Sequence, residues 1–202
     1  MKRYYAGIGS RETPINVMET MRNIAIILEK QGLVLRSGGA NGADDAFEKG
    51  VSNSCNKDIY LPYPEFNGRS SKKSPFIYIQ FGDEDFDKAY ESIIHHPSKG
   101  KMGASAKNMM LRNYFQLYGI RNQPKSEFVI CWTPDAANGT TIKTTYETGG
   151  SGQCIRLAAI EKIPVYNLAN PMYDGLTPDQ IVELVLSRVD VLDRPVKLTK
   201  LF

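Results

Sequence analysis

Helical and extended patterns of apolar residues alternate along the first sixty or so positions of the chain. Between residues 15 and 31, apolar side chains recur every three or four positions, which is the spacing of an amphipathic helix. Short apolar runs at 4–9, 33–35 and 58–61 predict strands, and a second helix is predicted from about residue 43 to 51. This order of strands and helices is typical of a parallel sheet with helices on both faces.

The remainder of the chain continues the alternation. Residues 127–132, with the sequence EFVICW, are apolar after the first position, which predicts a strand near the centre of the sheet, buried on both faces. Further strands are predicted at 76–79 and 164–167, and helices at 86–95, 104–118, 151–162 and 177–188. The segment from Val189 onward is expected to be an edge element or a partner contact. We therefore expect an α/β fold with a doubly wound, mainly parallel sheet in a single domain spanning residues 1–202.

Composition and charge indicate no particular function, but they exclude some classes of protein. A net charge of +3 is too mild to indicate nucleic-acid binding by itself, and the hydrophobic and charged fractions are ordinary for a globular protein. The three cysteines are scattered without CxxC spacing, which fits a reducing compartment and gives no zinc signature. No signal-peptide pattern or membrane-length apolar segment is present. We expect a cytoplasmic protein with no membrane partner, no bound metal and no cofactor.

Three glycine-rich turns follow predicted strands. The residues concerned are Gly9, Ser10 and Arg11 after the first strand; Ser37, Gly38, Gly39, Asn41 and Gly42 after the second; and Gly149, Gly150, Ser151 and Gly152 in a later loop that begins at Thr133. Ligands of doubly wound sheets bind at the carboxyl ends of strands, where glycine permits close approach to a phosphate and helix N-termini attract anions. The set predicts one anion-binding site. Any single turn is equally explained as a tight connection without a ligand.

Common nucleotide fingerprints are absent or incomplete. A dinucleotide-binding GxGxxG motif begins at Gly7 and Gly9, but Glu12 stands where its third glycine belongs. The chain contains no GxxxxGK[ST], HExxH, GxSxG or EF-hand loop. P-loop ATP hydrolysis and NAD-dependent redox chemistry therefore lose support.

Individual charged residues add candidates for the site. Asp44, in the first turn of a predicted helix, is expected to organise the glycine turn or accept from a ligand hydroxyl, with plain helix capping as the alternative. Arg11 is placed for a bidentate phosphate contact, unless it is an ordinary surface arginine. Residues 97–125 contain six basic residues, including Arg112, and no acid, interleaved with aromatic residues. That mixture suits nucleotide or single-stranded DNA binding, and also a solvated helix face.

Three stretches resemble a known family. GIGSRETP, GLVLRSGGANGADDAFEKG and MMLRNYFQL are similar to the Rossmann-like domain of the DNA-processing protein A family, within the SLOG superfamily. The matching positions, within a resemblance that covers roughly residues 4–168, are Gly9, Ser10, Arg11, Ser37, Gly38, Gly42, Asp44, Arg112 and Asn113. The resemblance implies a Rossmann-like fold that holds a nucleotide or nucleotide derivative and self-associates as a homo-oligomer. Single-stranded DNA binding is the alternative that it implies.

A partial resemblance to the Lonely Guy phosphoribohydrolases implies a third possibility. Their GGxGTxxE motif is matched by GGSGQCIR at residues 149–156, with Gln153 in place of threonine and Arg156 in place of the catalytic glutamate. A cation cannot supply the carboxylate chemistry of glycoside cleavage, although Glu147 or the Asp44–Asp45 pair could substitute. Hydrolysis of nucleoside monophosphates therefore remains a further alternative, and we assign no catalytic residue.

Overall fold

All strands of the sheet are parallel, and their order shows where the chain reverses its course across the sheet. The computed structural model describes residues 2–80, 82–83 and 85–192. Its strands are β1 (Arg3–Gly7), β2 (Leu33–Ser37), β3 (Lys57–Leu61), β4 (Phe76–Tyr78), β5 (Val129–Cys131) and β6 (Val165–Asn167). They lie in the order β4-β3-β2-β1-β5-β6. The chain builds outward from β1 to β4 and then returns to place β5 beside β1, which is the Rossmann-like, doubly wound arrangement that was predicted.

Helices cover both faces of this sheet. They are α1 (Ile15–Lys30), α2 (Ala43–Gly50), α3 (Phe86–Glu91), α4 (Ala104–Tyr118), α5 (Gly152–Ile160) and α6 (Pro178–Leu192). Apolar residues of α1, α2 and α6 share one core cluster, whereas α4 and α5 share another on the opposite face, and α3 packs against α4. The buried stripe of α1 consists of the helical-spaced residues from which the helix was predicted, Met21, Ile24, Ala25 and Leu28.

Two of the predicted elements in the middle of the chain differ from the observed ones. The helix predicted at 86–95 is α3, which ends at Glu91 and continues as a 3-10 turn over Ser92–His95. β5 is buried on both faces as predicted but lies next to the edge, because β6 pairs on its outer side.

At the other end of the chain, α6 extends to Leu192, and Val189 packs into the core. Val189 is therefore helical, and the predicted edge element lies outside the described residues from position 193 onward. Within the described ranges, no helix is both long and apolar enough to cross a membrane.

Candidate anion-binding site at the strand ends

The strand order places a topological switch point between the carboxyl ends of β1 and β5. Ligands of open α/β sheets bind in the crevice at such a point. The turn after β1 is attached to the end of β5 because the Ser10 N–H donates to the Trp132 carbonyl at 2.9 Å. A Cβ on Gly9 would lie 2.6 Å from the Cβ of Ala43 and 2.8 Å from the Trp132 carbonyl. Glycine is required there so that β1 can turn between α2 and the end of β5.

A buried ion pair joins the second glycine turn to α4. The Arg112 guanidinium donates to the Gly38 carbonyl at 2.6 Å and to Asp44 Oδ2 at 3.0 Å. Asp44 also accepts a long hydrogen bond, 3.4 Å, from the Ala40 N–H within the turn. Burial raises the pKa of Asp44, and the charge of Arg112 opposes that shift. The Arg112 guanidinium, which was predicted to bind the ligand, is thus hydrogen-bonded to Asp44 and Gly38.

A second arginine covers the same turn from the other side. Arg69 packs over Gly39, where an added Cβ would meet the arginine Cδ at 2.8 Å. Arg69 also pairs with Asp45 and Glu48 of α2. The Asn67 side chain donates to the Gly39 carbonyl at 3.0 Å.

Little of this turn is open to a ligand. The Ser37 hydroxyl is buried and donates to the Gly7 carbonyl at 2.7 Å. A Cβ on Gly42 would lie 2.5 Å from the Ser10 carbonyl, so the first two glycine turns pack directly on each other. Among the residues predicted here, Asn41 is the exposed one. The exposed part of this glycine turn is therefore Asn41, and the phosphate contact of the turn stays a prediction.

The third glycine turn is open. Gly149–Ser151 forms a 3-10 turn that runs directly into α5, and no side chain caps the start of either helix. Gly149 and Gly150 are exposed, and a Cβ added to either residue would meet nothing within 4 Å. The Asn113 side chain donates to the Gly150 carbonyl at 2.7 Å. Neighbouring residues of α4, Arg112 and Asn113, therefore hold two different glycine turns.

One carboxylate fixes the loop that leads to this turn. Asp135 accepts from the hydroxyls of Thr133 at 2.8 Å and Thr145 at 2.7 Å, and from that of Thr148. Burial alone would raise the pKa of Asp135, but these hydrogen bonds lower it to about 2. Thr133 is itself buried and bonded to Asn167, so it positions the loop and is not available to a ligand.

Three exposed residues belong to the first loop or to the loop before the open turn. Arg11 is exposed and, within the described part of the chain, forms no ion pair. Tyr146 is 99% exposed, and its carbonyl accepts from the Gly149 N–H at 3.1 Å. Glu147 is also exposed. Neither Tyr146 nor the anchoring residue Asp135 was predicted from the sequence; the threonines that bond to Asp135 were the available signal for it.

The basic segment 97–125 does not form one continuous surface. Lys99 and Lys101 are exposed in the turn before α4, whereas Arg121 follows its far end, and the 15-residue helix between them is about 22 Å long. Arg112 is buried in between, and Lys125 is paired with Glu161.

Two further observations concern metal binding and a groove at the edge of the sheet. No group of three or more His, Cys, Asp or Glu side chains in the described ranges is arranged to hold a metal ion. A groove of about 810 Å³ follows the edge strand β6, between Ala159 at the end of α5 and Ser187 of α6, and contains none of the predicted site residues.

Comparisons with known proteins identify similar folds. No protein-family profile and no curated protein matches the chain. DNA processing protein A from Helicobacter pylori, whose single-stranded DNA binding mode has been described, is 14% identical and aligns over 92% of this chain and 81% of its own, with a TM-score of 0.41. A molybdenum cofactor binding protein from the phototrophic bacterium Rippkaea orientalis is 13% identical, over 94% and 98% respectively, with a TM-score of 0.41. Both likenesses concern the fold alone.

Proposed function

We propose that this protein binds a nucleotide or a nucleotide-derived molecule, with its phosphate at the switch point between β1 and β5. The observation that carries the proposal is the exposed Gly149–Gly150 turn that leads directly into α5, where no side chain caps the start of the helix. Backbone N–H groups at such a helix end, together with the helix dipole, bind phosphate.

An unpaired arginine supports the same location. Arg11 follows Ser10, whose backbone is hydrogen-bonded to the end of β5, so the backbone of Arg11 lies beside the crevice. A guanidinium binds phosphate through two parallel hydrogen bonds and keeps its charge at any physiological pH. Arg11 supplies the side-chain cation, and α5 supplies the backbone donors.

An exposed aromatic ring favours a nucleotide over a simple anion. Tyr146 is 99% exposed. Its carbonyl accepts a hydrogen bond from the Gly149 N–H, which holds the Tyr146 backbone beside the turn that leads into α5. Aromatic rings in this situation stack on bases. The proposed site would bind the phosphate of a nucleotide, and the exposed ring beside it would stack on the base.

The test is calorimetric titration with the four common nucleoside 5′-monophosphates. We expect Arg11→Ala to weaken binding roughly 10-fold or more, through loss of a charge-assisted hydrogen bond. Tyr146→Ala should weaken it by about 1–3 kcal/mol, while Tyr146→Phe retains the ring and should bind like the wild type. Arg22→Ala, an exposed arginine on α1, is the matched control.

Unchanged affinity in both Arg11→Ala and Tyr146→Ala would show that the ligand binds elsewhere. Native mass spectrometry of the purified protein adds two observations: a co-purified nucleotide would identify the ligand, and the subunit count tests the predicted self-association. Free base released from a nucleoside monophosphate would instead support the phosphoribohydrolase alternative.

A further inference from the structure

Arg156 places its guanidinium near the amino end of α5, and no carboxylate of the described residues pairs with it. Its Nη1 donates to the Thr144 hydroxyl at 2.9 Å and its Nη2 to the Gln153 side-chain oxygen at 3.2 Å. The Nε is buried and has no acceptor. A guanidinium carries five N–H donors, so most of its hydrogen-bonding capacity is unused, and both partners are neutral. The guanidinium lies beside the first turn of the helix, since a Cβ added to Gly152 would lie 3.0 Å from Nη1.

Among the described residues, the surroundings of Arg156 add positive potential and no carboxylate contacts its guanidinium. The helix dipole is positive at this end, where a cation is normally unfavourable. Asp135, the carboxylate that anchors the same loop, is bonded to threonine hydroxyls and not to Arg156. Burial and the charge of Arg156 both lower the pKa of the nearby His96. The helix end and the guanidinium therefore concentrate positive charge that an anion would neutralise.

We propose that Arg156 is a specificity-determining residue of the α5 site, where it selects a dianionic phosphate monoester over a singly charged phosphodiester. The inference rests on the function proposed above. A terminal phosphate carries a charge of about −1.5 to −2 at pH 7, whereas a diester carries one negative charge. Thr144 and Gln153 orient the guanidinium, and the second N–H of each Nη atom would serve the second charge of the monoester.

The experiment compares each nucleoside 5′-monophosphate with its phosphate methyl ester by calorimetry at pH 7.5. We expect the wild type to prefer the monoester by about 10-fold or more, as loss of one charge-assisted contact predicts. Arg156→Gln keeps a hydrogen-bonding side chain and should reduce the preference to below about 3-fold. Arg156→Lys should restore part of it, because the charge returns without the planar fork. Arg22→Gln is the control substitution, and circular dichroism verifies that each variant is folded.

A base-free pair separates this inference from the proposed function. The same comparison is made with inorganic phosphate and dimethyl phosphate. Discrimination between these two anions without binding of any nucleotide would contradict the nucleotide proposal but retain the anion selectivity of Arg156. Equal affinity of the wild type for monoester and methyl ester, or an unchanged preference in Arg156→Gln, would overturn the inference.

If Arg156→Gln does not fold, an NMR titration of the wild type tests the inference instead. The chain has two histidines, so the His96 ring signal can be followed by NMR through a pH titration. An anion bound at Arg156 offsets the charge that lowers the pKa of His96, so saturation of the wild type with inorganic phosphate should raise that pKa. A His96 pKa that phosphate leaves unchanged would place the anion elsewhere and overturn the inference.

Discussion

Glycines that look alike in the sequence have different roles in the structure. Gly38 makes room for a guanidinium, since a Cβ there would lie 1.6 Å from Arg112 Nη1. Gly150 has open space around it and forms part of the exposed α5 amino end. The first is a packing requirement and the second belongs to the proposed binding surface, although both were predicted as parts of one phosphate cradle.

Alanine at these two glycines should separate the roles. Gly38→Ala must displace Arg112 and leave the buried Asp44 carboxylate unpaired, so we expect the free energy of unfolding to fall by about 3 kcal/mol. Gly150→Ala should change it by less than about 0.5 kcal/mol, as for an ordinary surface substitution. Urea denaturation measures both. Equal destabilisation would mean that the Arg112 contact with Gly38 does not hold the turn.

The adjacent aspartates of α2 provide a similar comparison. Asp44→Asn removes the charge that compensates the buried Arg112, and we expect a loss of about 3 kcal/mol in the free energy of unfolding. Asp45→Asn affects pairs with Lys49 and Arg69 that lie nearer the surface, and should cost less than about 1 kcal/mol. Thermal and urea unfolding of the two variants give the comparison. The larger loss at Asp45 would contradict a structural role for the buried pair.

At the scale of elements, the loop between β5 and α5 decides whether the proposed site exists. No described side chain caps α5, and the Gly152 N–H donates to carbonyls of the 3-10 turn before it, so the position of the amino end depends on the preceding loop. Asp135 gathers three threonine hydroxyls of this loop, and Asn113 of α4 holds the Gly150 carbonyl. Side chains of this loop and of α4 therefore hold the turn before α5, in which Gly149 and Gly150 are exposed.

We expect acid to weaken the anchoring of this loop by protonating Asp135. The pKa of Asp135 is about 2 in the folded protein against an ordinary 3.8, so its ionised form stabilises the fold above pH 3.8, and this contribution is lost as the pH falls towards 2. We expect the difference in unfolding free energy between the wild type and Asp135→Asn to shrink across that window. The comparison with the variant removes the effect of the other carboxylates. A difference that stays constant from pH 5 to pH 2 would contradict the anchoring role.

The sequence predicts elements better than it predicts their contacts. Periodicity located the helices and strands, and α4 was predicted with its observed bounds, because those patterns are local. The contacts that shape the site are not local: Asn113 bonds to a residue 37 positions away and Arg69 to one 24 positions away. No spacing within a single segment indicates that Arg69 covers Gly39 or that Arg112 pairs with Asp44.

At the scale of the whole molecule, the distribution of charge favours a small ligand over a nucleic acid. The sharpest run of basic residues in the sequence is divided between the two ends of α4, with its central arginine buried. Elsewhere, cations such as Arg3, Lys49 and Arg69 are paired with carboxylates. The cations assigned to the proposed site are Arg11 and Arg156. Two cations match one phosphate group and not a row of phosphates.

The dependence of binding on salt measures this difference directly. A protein that contacts 6–10 phosphates of a nucleic acid loses about 10³–10⁵ in affinity between 50 and 200 mM salt, because each contact releases condensed counterions. A site with two cations for one phosphate should lose less than about 10-fold for a nucleoside monophosphate over the same range. Calorimetry with the mononucleotide and fluorescence anisotropy with a 20-residue oligothymidylate, each at four salt concentrations, give the two slopes. We expect weak oligonucleotide binding that the mononucleotide displaces. A steep slope for the oligonucleotide, with tighter binding than the mononucleotide and no competition between them, would instead favour single-stranded DNA as the partner, held on a surface other than the α5 site.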